Sequence, residues 1–166
     1  MVVRLISLTI IYMEDRMNKK IIPYIAIFIT SGTIYILLEL LWRGRTHWTM
    51  FLCAGLCGLV MANINNNLLD FNTDFLKQVF YSALCCSLFE FLFGVIFNRN
   101  FSIWDYRGLW GTIHILGDQV NILFFGIWCI ISFFGLPFLD WLQWRLRLAE
   151  KPYYHIGNKY FYPFKI

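Results

Sequence analysis

The sequence predicts an all-α fold, namely an integral membrane bundle of four transmembrane helices with an interfacial C-terminal segment. The chain has 166 residues, of which 59% are hydrophobic and only 14% are charged, whereas soluble domains carry about 25% charged residues. A soluble protein of this size buries only about 70% of its surface, so this chain would expose large apolar patches in water. Long apolar runs with few charges also recur four times along the sequence.

The N-terminal segment does not fit the rest of the chain. Residues 2–13 are apolar, but they are shorter than the roughly 20 residues that a membrane-spanning helix needs. They also lack the small-residue cleavage site of a signal peptide. Met17 is followed by an asparagine, two lysines and an apolar run, which is how bacterial inner-membrane proteins commonly begin. We therefore expect Met17 to be the natural start, with residues 1–16 an upstream extension or disordered.

Four apolar runs predict a transmembrane domain over residues 17–138. The predicted spans are residues 21–42, 49–64, 75–97 and 116–138. The second span is the shortest and contains Gly55 and Gly58, and small residues of this kind allow helices to approach closely in lipid. A re-entrant segment is the alternative for this span, because a full crossing takes about 20 residues.

Residues 139–166 are predicted to form an interfacial helix end followed by an aromatic and basic cytoplasmic tail, not a folded domain. After Pro137 come Trp141, Trp144 and Arg145, and tryptophan and arginine are typical of the membrane interface. Four spans place both termini on one side of a cell membrane. Lysine and arginine favour the cytoplasmic side, so we expect cytoplasmic termini from the distribution of these residues after Met17. The terminal side carries Lys19, Lys20, Lys77, Arg145, Arg147, Lys151, Lys159 and Lys165, and the other side carries Arg43, Arg45, Arg99 and Arg107.

The predicted topology gathers polar residues at the outer end of the bundle. Glu39 and Glu90 lie within apolar spans, where an ionised group costs several kcal/mol unless it is paired, protonated or hydrated. The candidate cluster consists of Glu39, Arg43, His47, Glu90, Trp104, Asp105 and Gln119. One interpretation is a buried network that pins the loops to the helices. The other is a binding cup for an ion, a proton or a small polar ligand.

The sequence contains no recognised catalytic motif. It has no P-loop, no G-x-S-x-G elbow and no H-E-x-x-H helix, so we expect neither enzymatic activity nor a cofactor. A metal site formed by Glu39, His47 and His114 is a minor alternative, and the sequence does not predict a metal site. The five cysteines lie in apolar runs and are expected to be reduced packing residues. The chain has no long basic run, so nucleic-acid binding is not predicted.

The segment from Leu38 to Leu52, which reads E-L-L-W-R-G-R-T-H-W-T-M from Glu39, resembles a family of small bacterial membrane proteins. The family is described as CmpB-like, or ABC-transporter type IV. The similarity resumes at Glu90-Phe91 with Gly94, at Asn98, at Trp104-Asp105-Tyr106, from Gln119 to Trp128, and in the tail from Glu150 to Tyr154. The resemblance implies a multipass membrane protein and includes most of the candidate cluster. This chain departs from the family pattern at Asn66 and Asp118, and its segment between Trp104 and Gln119 is longer.

These observations predict a non-enzymatic membrane component of a transport or envelope system. Its expected partners are the lipid bilayer and either further copies of the chain or a separate energising subunit. Glu39 and Glu90 would be the groups that respond to a proton or an ion, with Arg43 and Asp105 positioning them. The alternatives are a holin-like pore-forming protein and a structural or regulatory membrane partner.

Overall fold

The computed structural model describes residues 2–146 and 149–164, with side chains described from residue 21 onward except those of residues 66 and 67. Four helices form an antiparallel bundle, and a short β-hairpin follows them. The helices are α1 (Val2–Arg43), α2 (Trp48–Asn63), α3 (Phe75–Phe97) and α4 (Ile122–Arg145), and the strands are β1 (Tyr154–Ile156) and β2 (Lys159–Phe161). The all-α class is confirmed.

Three of the helices are long and apolar enough to cross a membrane. They are Ile21–Arg43 within α1, all of α3 and all of α4, with mean hydropathies of 2.0, 2.0 and 2.3. Helix α2 has 16 residues and rises about 24 Å, less than the roughly 30 Å of a bilayer core. It nevertheless runs back along α1, because the Tyr24 hydroxyl donates to Asn63 at 3.3 Å. A π-helical turn, Ile64–Leu68, extends it further.

Helix α2 lies at the centre of the bundle and packs against the other three helices. Its glycines face α1 at very short distance. A Cβ atom at Gly55 would lie 2.6 Å from the Phe28 ring, and one at Gly58 would overlap Ser31. The prediction that these glycines permit close helix approach is therefore confirmed.

The interior of the bundle combines small residues with a few large ones, and its exterior carries large apolar side chains. Its core contains Cys53, Cys57, Ala83, Cys86, Trp128 and Leu136. Large side chains such as Leu37, Leu84 and Phe134 point outward and are about half exposed or more. An apolar outer surface on this scale suits lipid and not water, and the three long apolar helices are compatible with a multipass membrane protein.

The last helix differs from its predicted bounds at both ends. Asn121 caps α4 by accepting from the Leu123 N–H at 2.8 Å, so the helix starts at Ile122 and not at residue 116. The helix then continues through Pro137 to Arg145. Asp140 and Gln143 are fully buried against the end of α2. The segment expected at the membrane interface therefore continues α4, with one face buried in the bundle and with Trp141, Trp144 and Arg145 half-buried or exposed.

The C-terminal tail is folded, in contrast to the predicted interfacial tail. Strands β1 and β2 pair antiparallel, with Tyr154 opposite Phe161. Gly157 opens the turn at φ 56, a conformation that suits glycine at the first central position of a two-residue hairpin loop. Tyr154 has no exposed surface and packs against Phe75 at the start of α3. Burial of aromatic surface therefore holds the hairpin on the bundle.

The predicted boundary between residues 1–16 and the transmembrane domain is not tested by the structure. Helix α1 begins at Val2, so the backbone of residues 2–16 is helical, and the side chains of residues 1–20 lie outside the described part of the chain. The start at Met17 and the upstream extension remain predictions.

The third span matches its prediction, because α3 covers residues 75–97 and Asp74 caps it by accepting from the Leu76 N–H at 2.9 Å.

Candidate functional site

We call the end of the bundle that carries the connections after α1 and α3 the loop end, and the opposite end the hairpin end. The structure brings five predicted site residues together at the loop end, and which side of the membrane this end faces stays a prediction. These residues are Glu39, Arg43, Glu90, Trp104 and Gln119. They fall into two carboxyl sites and one amide network.

The first carboxyl site is Glu90, which is 5% exposed on the inner face of α3. Its Oε1 accepts from the Tyr106 hydroxyl at 2.6 Å, and its Oε2 accepts from the Trp128 indole N–H at 3.2 Å. Both donors are neutral, and no ion pair involves Glu90 among the described side chains. Its oxygens are thus hydrogen-bonded, but no countercharge was found for an ionised carboxylate.

Tyr106 connects this carboxyl to the long loop after α3. Its ring is 5% exposed and packs against Phe124 with centroids 4.5 Å apart. Burial, reinforced by the neighbouring Glu90 carboxyl, raises the pKa of Tyr106 well above its ordinary value of 10. The phenol therefore stays protonated and acts as the donor to Glu90 at any ordinary pH.

The second carboxyl site is Glu39, one turn before the end of α1. It accepts from Arg43, four residues on, and from the Thr46 hydroxyl in the following loop. Arg43 also donates to the Ile103 carbonyl at 2.9 Å. This charged pair joins the two loops of the loop end, as the network interpretation of the sequence expects.

Tyr35 lies between the two carboxyl sites. Its ring stacks on Trp128 with centroids 6.0 Å apart and an interplanar angle of 14°. Tyr35 is within electrostatic range of both Glu39 and Glu90. The two acids therefore belong to one polar region, with Glu39 neutralised by Arg43 and Glu90 not neutralised by any described cation.

The amide network fixes the path of the loop above Glu90. Asn98 is fully buried at the end of α3, where it donates to the Trp104 carbonyl at 2.7 Å and to Gln119 Oε1 at 3.1 Å. The Trp104 indole donates to the Gln119 carbonyl at 3.3 Å. Gly94 makes room for this arrangement, since a Cβ atom there would lie 2.5 Å from Gln119 Oε1.

Two predicted site residues lie outside this region. His47 caps α2, with its Nδ1 at 2.8 Å from the Thr49 hydroxyl oxygen. Asp105 is largely exposed and forms a double hydrogen bond with Arg107 at 2.7 and 2.9 Å. Arg107 lowers the pKa of Asp105 to about 2. Asp105 is thus a surface ion pair and does not position either glutamate.

The described residues do not form a metal centre. Within residues 21–65, 68–146 and 149–164, no three His, Cys, Asp or Glu side chains are placed to bind one ion. His114, considered with Glu39 and His47 for such a site, is exposed and pairs with Asp118 at 2.5 Å. The five cysteines are free, and three of them are buried among the helices.

The site also contains residues that were not singled out from the sequence. Tyr106, Trp128 and Asn98 supply the hydrogen bonds described above, although all three lie in the segments that carry the family resemblance. Asp140 at the hairpin end is a further buried acid, 2% exposed. It lies five residues before Arg145, in a segment that resembles a membrane interface, so its burial was not expected.

A comparison with family models, with curated proteins and with solved structures found no match for this chain.

Proposed function

We propose that this chain is a non-enzymatic membrane component of a transport or envelope system, and that Glu90 is its ion-responsive group. Glu90 would take up and release a proton or a small cation at the loop end. The resemblance of the chain to the CmpB-like family supports this role, because the residues that carry the resemblance include most of the polar cluster. Further copies of the chain or a separate energising subunit would complete the system.

The observation that carries the proposal is the burial of Glu90 without a countercharge. An ionised carboxylate in an apolar interior costs several kcal/mol unless a positive group compensates it. Glu39 has that compensation from Arg43, whereas among the described side chains the donors to Glu90 are the neutral Tyr106 and Trp128. A carboxyl in this setting is stabilised by binding a proton or a cation, so its occupancy responds to the surroundings.

The arrangement also distinguishes the two glutamates by role. The Glu39–Arg43 pair bonds to Thr46 and to the Ile103 carbonyl and therefore holds the loops. Glu90 is joined to the loop after α3 by its hydrogen bond with Tyr106. A change in the occupancy of Glu90 would act on Tyr106 first, and through it on the loop that leads to the membrane surface.

Infrared difference spectroscopy of the protein in lipid nanodiscs tests this proposal. Spectra recorded between acidic and alkaline buffer, and with and without added sodium or potassium, report the carbonyl band of a buried carboxyl group. We expect one such band to change in the wild-type protein and to be missing in Glu90→Gln.

The matched control is Glu150→Gln, which removes an exposed acid after α4. We expect this variant to retain the band. If the Glu90→Gln and wild-type difference spectra are identical while both proteins remain helical, Glu90 does not respond to ions and the proposal is wrong.

A further inference from the structure

A line of buried polar side chains runs along the inner faces of α3 and α4, between the loop end and the hairpin end. These residues contribute nothing to the loop-end network described above. Each is less than 8% exposed, although the helices around them are apolar. They are Gln78, Ser82 and Ser87 on α3, and Ser132 and Asp140 on α4.

Each of these five side chains has an oxygen that lacks a partner among the described residues. The oxygens are Gln78 Oε1, Ser82 Oγ, Ser87 Oγ, Ser132 Oγ and Asp140 Oδ1. Within a bilayer every unsatisfied polar group costs several kcal/mol. A serine in a helix commonly bonds back to a carbonyl of its own helix, and these three do not. Their hydrogen-bonding capacity is therefore available to a ligand.

Helical geometry gives the spacing of these groups along each helix. With a rise of about 1.5 Å per residue, Ser87 lies about 4.5 Å, Ser82 about 12 Å and Gln78 about 18 Å from Glu90 along α3. Ser132 precedes Asp140 by about 12 Å on α4. The ring of Phe133 lies 5.2 Å from that of Phe75, which places Ser132 beside the first half of α3.

Asp140 ends the line at the hairpin end. Its Oδ2 accepts from Asn65 at 2.7 Å and from the Tyr154 hydroxyl at 2.5 Å. Burial and the nearby Asp140 raise the pKa of Tyr154 well above its ordinary value of 10, so Tyr154 remains a donor. Oδ2 is thus occupied, and Oδ1 is the oxygen that is free to take a proton.

We propose that this line is a proton path across the membrane, with Glu90 and Asp140 as its two protonatable ends. The inference rests on the proposed function of Glu90 and names the ion as the proton. Because these groups lie several ångströms apart along the helices, water molecules must bridge them. A proton leaves the Glu90 carboxylic acid as a serine hydroxyl or a bridging water accepts it, and each of these passes on its own proton, while Gln78 Oε1 holds a bridging water by accepting a hydrogen bond from it. Asp140 Oδ1 receives the last proton and releases it at the hairpin end, so one proton enters for each that leaves.

Packing favours a proton over a larger cation. The loop before α4 packs closely on α3 at Gly94, because a Cβ atom there would lie 2.5 Å from Gln119 Oε1. Further along, Ala83 and Cys86 on α3 and Leu136 on α4 are fully buried in the core. A hydrated metal cation needs a continuous opening, whereas a proton needs only a series of groups that donate and accept.

Proteoliposomes containing a trapped pH-sensitive dye test the path directly. Valinomycin and potassium clamp the membrane potential, and an external acid step starts proton entry. We expect wild-type protein to accelerate entry at least tenfold over protein-free vesicles. Asp140→Asn and Glu90→Gln should return the rate to that background, and Ser82→Ala should lower it severalfold. Ser102→Ala, which removes an exposed loop hydroxyl, is the matched control and should leave the rate unchanged.

The outcomes separate the path from the function of Glu90. Wild-type flux together with the infrared band of Glu90 in Asp140→Asn would overturn the path and leave the proposed function standing. Wild-type flux in Glu90→Gln, with an unchanged infrared spectrum, would overturn both. Loss of a trapped dye as large as calcein from wild-type vesicles would also overturn the path, because it would indicate an open pore. Ser82→Ala keeps the test valid if an acid variant does not fold, since it removes a single hydroxyl.

Discussion

The hydroxyl of Tyr154 offers a sharp test of how the C-terminal hairpin is held on the bundle. Replacing Tyr154 with phenylalanine keeps its ring contacts with Phe75 and Phe161, at 4.9 and 5.5 Å between centroids. It removes the 2.5 Å hydrogen bond to Asp140 and leaves that buried carboxyl with Asn65 as its remaining described donor. A stranded buried acceptor costs about 1–3 kcal/mol, so hairpin opening should become about 5- to 150-fold more frequent.

Hydrogen–deuterium exchange of the hairpin amides measures this opening without requiring global unfolding. We expect the amides of residues 154–161 to exchange faster in Tyr154→Phe by that factor, while the amides of α2 and α3 stay protected. Tyr160→Phe is the matched control, because Tyr160 lies on the neighbouring strand with its side chain 58% exposed. Its exchange should stay within about twofold of wild type, since exposed substitutions change stability by less than about 0.5 kcal/mol.

The reasoning fails if Tyr154→Phe and Tyr160→Phe give the same exchange rates. A double-mutant cycle with Asp140→Ala adds a second criterion. If the hydroxyl acts through Asp140, the Tyr154→Phe effect should shrink in the Asp140→Ala background, with a coupling of about 0.5–3 kcal/mol. Additive effects would show that the hydroxyl and the carboxyl do not interact.

Two further predictions concern helix packing and pH. Gly58→Ala should destabilise the protein by about 1–3 kcal/mol, because the new Cβ atom would overlap Ser31. Gly126→Ala is the control and should be neutral or stabilise the protein by up to about 1 kcal/mol, because no atom lies within 4 Å of the new Cβ. The loss of helicity during detergent titration compares the stabilities of the two variants. Hairpin docking should weaken at both pH extremes. Hydrogen bonds to Asn72 and Gly157 raise the pKa of His155 above 6.5, so its contribution is full below 6.5 and lost as pH rises through the raised value. The Gly157 amide lowers the pKa of Asp74 below 3.8, so its contribution is present above 3.8 and lost as pH falls through the lowered value. Exchange rates of hairpin amides, corrected for intrinsic pH dependence, should therefore be slowest between those limits, and His155→Gln should abolish the alkaline change.

The helices could be predicted because membrane insertion imposes a signal that is local in sequence. A run of about 20 apolar residues is needed for each crossing, and α3 matches its predicted bounds. The glycines of α2 were informative for the same reason, since close approach in lipid depends on side-chain size at a few positions. The cap at Asp74 follows from a residue type that accepts from the first turn of a helix.

The end of α4 and the hairpin could not be predicted in this way. Proline usually marks a helix end, and tryptophans next to arginines usually mark an interface, so residues 139–145 resembled a segment that leaves the membrane. Asp140, in the middle of this segment, is buried against Asn65 and Tyr154, which are distant in sequence. A single sequence does not reveal such partners.

The sequence predicted the region of the candidate site but not the individual contacts within it. Topology alone gathered Glu39, Arg43 and Glu90 at one end, and the i,i+4 spacing of the first two made their ion pair foreseeable. The path of the loop after α3 decided the rest. That loop turns Asp105 outward to Arg107 and Tyr106 inward to Glu90, and no periodic pattern specifies such a path.

The central claim is that the loop end and the hairpin end lie on opposite faces of a bilayer. Single cysteines at Ser102 and Asn158, both exposed positions at the two ends, test it with a membrane-impermeant maleimide applied to intact cells and to inverted vesicles. The wild-type chain, with its native cysteines in apolar helices, gives the background. The account predicts that each position is labelled in only one preparation, and in the opposite one from its counterpart. Labelling of both positions from the same side would contradict it.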